Sequence, residues 1–230
     1  MSTNIDLSIV VPFLNEELVL NSFFENAFKK LESSQISFEI IGVDNGSIDS
    51  SYEIAQRFPV KLVKEKMRGY GAALKRGFIE SRGQYIAYLD CDGSYTIEDL
   101  IALYQEIREK GSDKVIGTRI NDKSESKAMP LLHRYVGTPM LNLLCFIRHG
   151  LRTNDVNSGL RVFRSSILKK MSLSSDGMEF ASEFLIKCYR SNFQIHEVPI
   201  SYGRGFSTSR RPHLRPLRDG CRHFLMILKS

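Results

Sequence analysis

Tyr85-Ile86-Ala87-Tyr88-Leu89-Asp90-Cys91-Asp92-Gly93-Ser94-Tyr95-Thr96 is the stretch on which the fold turns. Its first five residues are apolar and aromatic, too few for a helix, and read as a buried strand from Tyr85 to Leu89. Two carboxylates one residue apart follow at once. Thr96 then caps a helix, with Glu98 and Asp99 in its first turn and Ile97, Leu100, Ile101, Tyr104 and Ile107 on one face. The same unit recurs upstream. Leu7 to Val11 is a strand, followed by Leu20, Phe23, Phe24, Ala27, Phe28 and Leu31 at helical spacing. Phe38 to Val43 is the next, and Asp44-Asn45-Gly46-Ser47 turns the chain into a helix around Tyr52, Ile54, Ala55 and Phe58. Val60 to Val63 leads to Gly69-Tyr70-Gly71 and a helix through Leu74 and Phe78, and Lys114 to Ile116 completes the series. Strands alternating with helices predict an α/β fold, a doubly wound and mainly parallel sheet with helices on both faces. Further on come a loop, Asn121 to Pro130, a helix around Phe180 to Tyr189 and a strand from Ile195 to Val198. No repeat or linker divides the chain, so one domain spanning 1–230 is expected.

The composition, 42% hydrophobic and 25% charged over 230 residues, excludes a disordered or fibrous chain. The longest apolar runs, Met140 to Ile147 and Phe224 to Leu228, are too short to cross a bilayer. The first residues carry no basic segment before an apolar run, so no signal peptide and a cytoplasmic location are expected. Cys91, Cys145, Cys188 and Cys221 have no paired spacing and read as reduced thiols, not a zinc site. The net charge of +6 sits at one end. From Arg204 onward there are seven basic residues and one acid, while the remainder carries 25 of each sign. Such a tail implies an anionic partner.

Ligands of doubly wound sheets bind at the carboxyl ends of the strands. Here those ends are polar: Pro12 to Glu17, Asp44 to Asp49 and Asp90 to Ser94. Asp90 and Asp92 supply oxygen ligands of the kind that hold Mg²⁺ or Mn²⁺ jointly with substrate phosphates, or else cap a turn. Asp44 reads as an Asx-turn as well as a site carboxylate. The glycines before the third helix could expose backbone N–H groups to an anion.

In order, these segments spell VPxxNE, DxGSxD, GxGAA and DxDG, and the joint pattern resembles the family-2 inverting glycosyltransferases of the GT-A fold over nearly the whole chain. The second half narrows the resemblance. Asp155-Val156-Asn157-Ser158-Gly159-Leu160-Arg161, the segment Gly177 to Glu183, Glu197-Val198-Pro199, Pro212-His213-Leu214-Arg215 and Arg218-Asp219-Gly220-Cys221-Arg222-His223 are similar to the polyprenyl-phosphate sugar synthases, the branch with dolichyl-phosphate mannose and glucose synthases. Cys221 stands where that branch has Trp, and many of its members continue into hydrophobic C-terminal helices.

The resemblance implies a nucleotide-sugar half over about 1–120, an acceptor half over about 121–203 and a basic amphipathic tail over 204–230. It assigns Pro12, Leu14, Glu16, Asp44, Asn45, Gly69, Gly71 and Asp90 to the nucleotide sugar, and Asp90 and Asp92 to the metal. Asn45 departs from the second aspartate usual there. Arg119 and Arg134 match arginines that hold the acceptor phosphate, and Arg204, Arg211, His213 and Arg215 would bind acceptor or diphosphate. Asp92, Asp155, Arg119 and Arg134 form the expected catalytic set. Asp155 orients the acceptor or the sugar, acts as a base, or pairs with Arg161 to shape the loop; Glu183 has a structural alternative of the same kind.

The activity expected is transfer of a hexose, with inversion, from a nucleotide diphosphate sugar to a polyprenyl phosphate, undecaprenyl or dolichyl. A UDP-sugar is preferred and a GDP-sugar is possible. A lipid monophosphate is already ionised near pH 7 and requires no strong base, whereas the rival acceptor, a saccharide or glycolipid hydroxyl, makes Asp155 critical as one. Nucleic acid is not expected as a partner, because the strand-end carboxylates would repel a polyanion. Phe224, Leu225, Ile227 and Leu228 beside Arg218, Arg222 and Lys229 read as an interfacial helix on an anionic membrane surface or as a last core helix. The former makes the protein peripheral on the inner face of the membrane.

Overall fold

The computed structural model describes residues 5–121, 133–203, 205 and 216–230, apart from the side chains of 133 and 216–218. Seven strands form one sheet: β1 (Leu7–Phe13), β2 (Phe38–Asp44), β3 (Lys61–Lys64), β4 (Tyr85–Tyr88), β5 (Lys114–Thr118), β6 (Arg161–Arg164) and β7 (Ile195–Pro199). Their spatial order is β3-β2-β1-β4-β6-β5-β7, and β6 alone runs antiparallel to its neighbours. The helices are α1 (Leu20–Glu32), α2 (Ser51–Ala55), α3 (Tyr70–Glu80), α4 (Ile97–Lys110), α5 (Thr138–His149), α6 (Phe180–Arg190) and α7 (Pro216–Lys229).

β1 lies between β2 and β4 and is buried along its whole length, which is why its sequence is a continuous apolar run with no alternation. Leu7, Ile9, Val11 and Phe13 pack on one face with Phe23, Phe24 and Leu103, and Val10 packs on the other with Leu74, Phe78, Phe163 and Phe184. A third cluster joins Ile116 to Leu141, Cys145, Leu185 and Ile227 from α5, α6 and α7. Thr96 caps α4 as expected, its Oγ1 accepting from the Asp99 amide at 3.0 Å.

The four-residue strand β6, with an arginine at each end, carries almost no strand signal in its sequence. Val162 packs into the first cluster and Phe163 into the second. Because β6 runs backward, its entry, with residues 155–160, lies at the same edge as the exits of β1, β2, β4 and β5. The apolar run at Met140 to Ile147 is part of α5, and the tail ends in α7, where Ile227 is in the core while Phe224, Leu225 and Leu228 are exposed. Most of the predicted loop Asn121 to Pro130 lies outside the described residues. Among the described residues, no helix is long and apolar enough to cross a membrane.

Candidate active site

The strand register sets the site. Phe13 is opposite Asp44 and Val10 opposite Tyr88, so Leu14, Asp44 and Asp90 emerge together at one edge. Asp44 is buried, and its Oδ1 accepts from the Ser47 amide at 2.8 Å, the predicted Asx-turn. The loops after β1 and β2 are laced together. Asn15, at φ 53°, donates its amide to Ser47 Oγ at 3.0 Å and accepts from the Ile48 amide at 2.9 Å, and the Glu16 amide donates to Ser51 Oγ at 2.7 Å. Pro12 and Glu16 are buried beneath this lacing and Leu14 is half-buried.

Asn45 is a clasp. Its amide nitrogen donates to the carbonyls of Glu65 (3.3 Å) and Met67 (2.7 Å), and its oxygen accepts from the Gly69 amide at 2.8 Å. An aspartate cannot donate, so this bonding explains the departure from the usual residue in terms of the chain behind the site.

Gly69 and Gly71 serve chain packing, which corrects the expectation of an anion cradle. The Gly71 and Ala72 amides, at the start of α3, donate to the carbonyls of Gly177 (3.3 Å) and Asp176 (3.1 Å). At φ 144° Gly69 has a backbone that a side chain would strain, and a Cβ there would overlap the Asp176 carbonyl. The segment that closes over these glycines is held by Glu183, which accepts from the Ser174 and Ser175 amides at 2.9 and 2.7 Å and pairs with Lys187 at 2.6 Å. Burial alone would raise the Glu183 carboxyl, but these bonds more than offset it and bring its pKa down to about 2. Its role is structural.

Asp90 and Asp92 flank Cys91, which is buried in the core, and both are half-buried at the site edge. Asp92 Oδ1 accepts from the Ser94 amide at 2.9 Å. The buried phenols of Tyr70 and Tyr95 lie beside Asp90; burial first, and for Tyr70 the charge of Asp90 next, keeps both protonated. Tyr95 Oη accepts from the Gly159 amide at 2.7 Å, tying this turn to the entry of β6. Two carboxylates without a third side-chain ligand fit a divalent ion shared with a diphosphate and do not fit a closed protein cage; among the described residues no group of three or more such ligands occurs. Gly205, at φ 77°, sits against the Asp92 carbonyl, and Gly203 donates to the Ser94 carbonyl at 3.0 Å. Gly203 and Gly205 are thereby held against the Asp92–Ser94 turn. Arg204, Arg211, His213 and Arg215 themselves lie outside the described residues.

Asp155 is fully buried and paired with Arg119, not with Arg161 as one sequence alternative had it. Arg119 Nε and its backbone N–H donate to Oδ2 at 2.7 and 3.0 Å, and Nη2 donates to Oδ1 at 2.7 Å. Burial would lower the guanidinium pKa, but the Asp155 charge overcomes it and holds Arg119 firmly cationic. The guanidinium lies 5.4 Å from the ring of Tyr202, which in turn packs edge-on against Tyr95. Arg161, fully buried, instead holds the loop by its carbonyls, donating to Val156 (2.7 Å), Ser158 (3.0 Å) and Ala181 (2.7 Å). Arg134 is half-buried in a π-type turn, His133–Gly137, and its Nη2 donates to the Asn121 carbonyl at 3.2 Å, just past the end of β5. Sequence reasoning passed over Tyr95 and Tyr202; a tyrosine three residues after Asp92 was the one local signal.

Comparison with known structures and sequences identifies the fold and the family. The chain superposes over 97% of its length on 79% of glucosyl-3-phosphoglycerate synthase from Mycobacterium tuberculosis, crystallised with Mn²⁺, UDP and glucosyl-3-phosphoglycerate, with a TM-score of 0.75 at 19% identity. The fold is thus that of a GT-A glycosyltransferase. The chain belongs to glycosyl transferase family 2, whose family model matches residues 8–172, from β1 to just beyond β6. It is 34% identical over 222 residues to the low-salt glycan biosynthesis hexosyltransferase Agl6 of Haloferax volcanii, covering 96% of this chain and 53% of that protein. The chain therefore spans about half the length of that relative. It is also 29% identical over 216 residues to UDP-N-acetylglucosamine–dolichyl-phosphate N-acetylglucosaminyltransferase of Methanococcus voltae, covering 84% and 83% of the two chains. With a dolichyl-phosphate hexose transferase of Haloferax volcanii it shares 28% over 197 residues, covering 86% and 82%.

Proposed function

We propose that this glycosyltransferase moves a hexose, with inversion, from a nucleoside diphosphate sugar to a polyprenyl phosphate, using Mg²⁺ or Mn²⁺ at Asp90 and Asp92. The observation that carries the acceptor is the Arg119–Asp155 pair. A hydroxyl acceptor must lose its proton as it attacks and needs a carboxylate whose oxygens face it. Those of Asp155 are engaged by three N–H donors of Arg119. A phosphate monoester is already an oxyanion and requires positive charge for positioning, which we assign to Arg119 at the sheet edge and to Arg134, bonded to the Asn121 carbonyl two residues on. Two relatives are named for dolichyl-phosphate acceptors, which supports the same reading.

On the donor side, Pro12, Leu14, Glu16 and Asp44 flank the nucleotide, with Asn45 holding the pocket's wall from behind. UDP is the preferred nucleotide, in keeping with the UDP bound in the structural neighbour. The divalent ion, when bound, stabilises the charge on the departing nucleoside diphosphate. Arg204, which precedes Gly205, and Arg211, His213 and Arg215, which come after it, are assigned to the diphosphate and the acceptor phosphate. The exposed apolar side chains Met140, Leu143 and Ile147 of α5 and Phe224, Leu225 and Leu228 of α7 lie on two helices that pack together, with Arg148, Arg152 and Lys229 nearby. This face is assigned to an anionic membrane surface, where the acceptor resides.

The test is thermal stabilisation by UDP, GDP, CDP and ADP, each with and without Mn²⁺, on wild type and Asp92→Ala, followed by transfer from the matching labelled sugar nucleotides to polyprenyl phosphate. Metal-dependent stabilisation by UDP, lost in the variant, and a labelled lipid product are expected. Folded protein that no nucleotide stabilises would overturn the donor assignment, and transfer only to hydroxyl acceptors would overturn the polyprenyl phosphate.

A further inference from the structure

One line of hydrogen bonds runs from α7 to the loop that carries Asp155. His223 is buried on the inner side of α7, and its Nδ1 lies 2.7 Å from Ser182 Oγ on α6. Ser182 Oγ donates to Asn157 Oδ1 at 3.2 Å. A serine hydroxyl has one proton, so with that proton on Asn157 the imidazole must donate from Nδ1, which sets its neutral tautomer. Asn157 is two residues beyond Asp155. On either side of it, Arg161 holds the Val156 and Ser158 carbonyls, and its third bond goes to Ala181, the residue before Ser182. Loop, α6 and α7 are one hydrogen-bonded unit, and the carboxylate carried by that loop grips Arg119.

We propose that His223 is a positioning residue for the acceptor side of the site: the line His223–Ser182–Asn157 sets the Asp155 loop and, through Asp155, the Arg119 guanidinium. The proposal rests on the function above for the identity of the acceptor but not for the behaviour of the loop. Packing alone does not account for the imidazole. α7 is already anchored by Ile227 in the third core cluster and by the 2.7 Å contact between His149 Nε2 and the Ile227 carbonyl. A buried polar ring carries a desolvation cost that an apolar side chain would avoid. What the imidazole adds is a partner whose own partner is in the Asp155 loop. The opposite side of α7 exposes Phe224, Leu225 and Leu228, so engagement of that face acts on the helix that sets the loop.

Three variants test this. His223→Phe keeps the ring and removes the bond, Ser182→Ala cuts the line in the middle, and His223→Asn restores an N–H near the position of Nδ1. With polyprenyl phosphate as acceptor, the Phe and Ala variants are expected to raise the acceptor KM about fivefold, the effect of one hydrogen bond. The donor KM should stay within about twofold, and His223→Asn should recover most of the loss. Equal changes in both KM values, or no change in either, would overturn the proposal. Amide hydrogen exchange gives a second readout without any acceptor. The Arg119 amide, bonded to Asp155, and the Val156 amide, bonded to Asn142 at 3.1 Å, should exchange faster in the Phe and Ala variants and not in the Asn variant, with β1 and β2 unchanged. Wild-type protein inactive on polyprenyl phosphate would remove the function proposed above while leaving the exchange result to decide this one; unchanged exchange at both amides would overturn it whatever the acceptor.

Discussion

Arg119 holds Asp155 at both carboxylate oxygens, Nε at 2.7 Å from Oδ2 and Nη2 at 2.7 Å from Oδ1, and Asp155 has no exposed surface. The pair converts a strand-end arginine into an oriented cation and takes a carboxylate out of acid–base chemistry. Glycosyl transfer to an oxyanion requires the first and not the second.

Asp155→Asn keeps the shape of the pair but turns one acceptor into a donor facing the guanidinium. A loss of about 3 kcal/mol in urea unfolding is expected, because the charge left behind is largely buried. We expect kcat/KM to fall on the order of 100-fold, the scale seen when an oriented charge at a reacting centre is lost. The acid limb of the pH–rate profile should remain in the residual activity. Its disappearance would mark Asp155 as a titrating base and contradict the positioning role.

Asn45→Asp introduces the residue usual in similar sequences and is nonetheless expected to be harmful. The new carboxylate would face the Glu65 and Met67 carbonyls, to which Asn45 now donates. A loss of about 2 kcal/mol in urea unfolding is expected, together with weaker nucleotide stabilisation. Unchanged stability would mean that the clasp rearranges freely.

Acid should loosen α7 through His223. Burial lowers the imidazole pKa to about 4 from an ordinary 6.5; Asp219 on the same helix opposes the shift and Arg161 on β6 adds to it. Between those two values the unfolded chain binds a proton that the native state does not. Stability present above pH 6.5 is therefore lost as pH falls toward 4, by an amount on the order of 3 kcal/mol. Glu183 contributes in a different window, from 4.5 down to about 2. Unfolding measured from pH 7 to 4.5 should fall less steeply in His223→Asn than in wild type. Parallel curves would exclude His223 as the group responsible.

The apolar face shared by α5 and α7 should bind vesicles. Ile147 and Leu225 are 71% and 51% exposed, so the double variant Ile147→Glu, Leu225→Glu removes apolar contact and adds negative charge without opening the core. Co-sedimentation with vesicles containing anionic lipid should weaken by at least about tenfold while Tm stays within a few degrees. Equal binding by both proteins would rule the face out as the membrane contact.

Much of the first half of the fold was legible from residue order alone. β1, β2 and β4 are apolar runs that end in Pro12, Asp44 and Asp90, and a parallel sheet obliges those ends to meet. Thr96 and the Asx-turn at Asp44 behave as their chemistry predicts, because each bond spans only three residues. The second half of the chain was legible as motif but not as geometry. β6 has only four residues, and nothing local announces that it runs backward and brings Asp155 to the site edge. For Asp155, spacing suggested Arg161, six residues away, whereas the partner is Arg119, 36 residues upstream.

By itself, then, the sequence determined β1 to β5 and the helices between them, the edge at which those strands end and the carboxylates placed there, since these follow from short-range periodicity and from the rule that parallel strands end together. Only the tertiary structure decided what each polar group is bonded to: that Asn45 clasps backbone, that the Gly71 and Ala72 amides at the start of α3 are already satisfied, that Lys114 is buried with its side-chain nitrogen 3.2 Å from the centre of the Phe184 ring, and that His223 reaches Asn157 through Ser182. A buried polar group must find a partner, and in a doubly wound sheet that partner is often supplied by a strand or helix dozens of residues away, a pairing that no local pattern encodes.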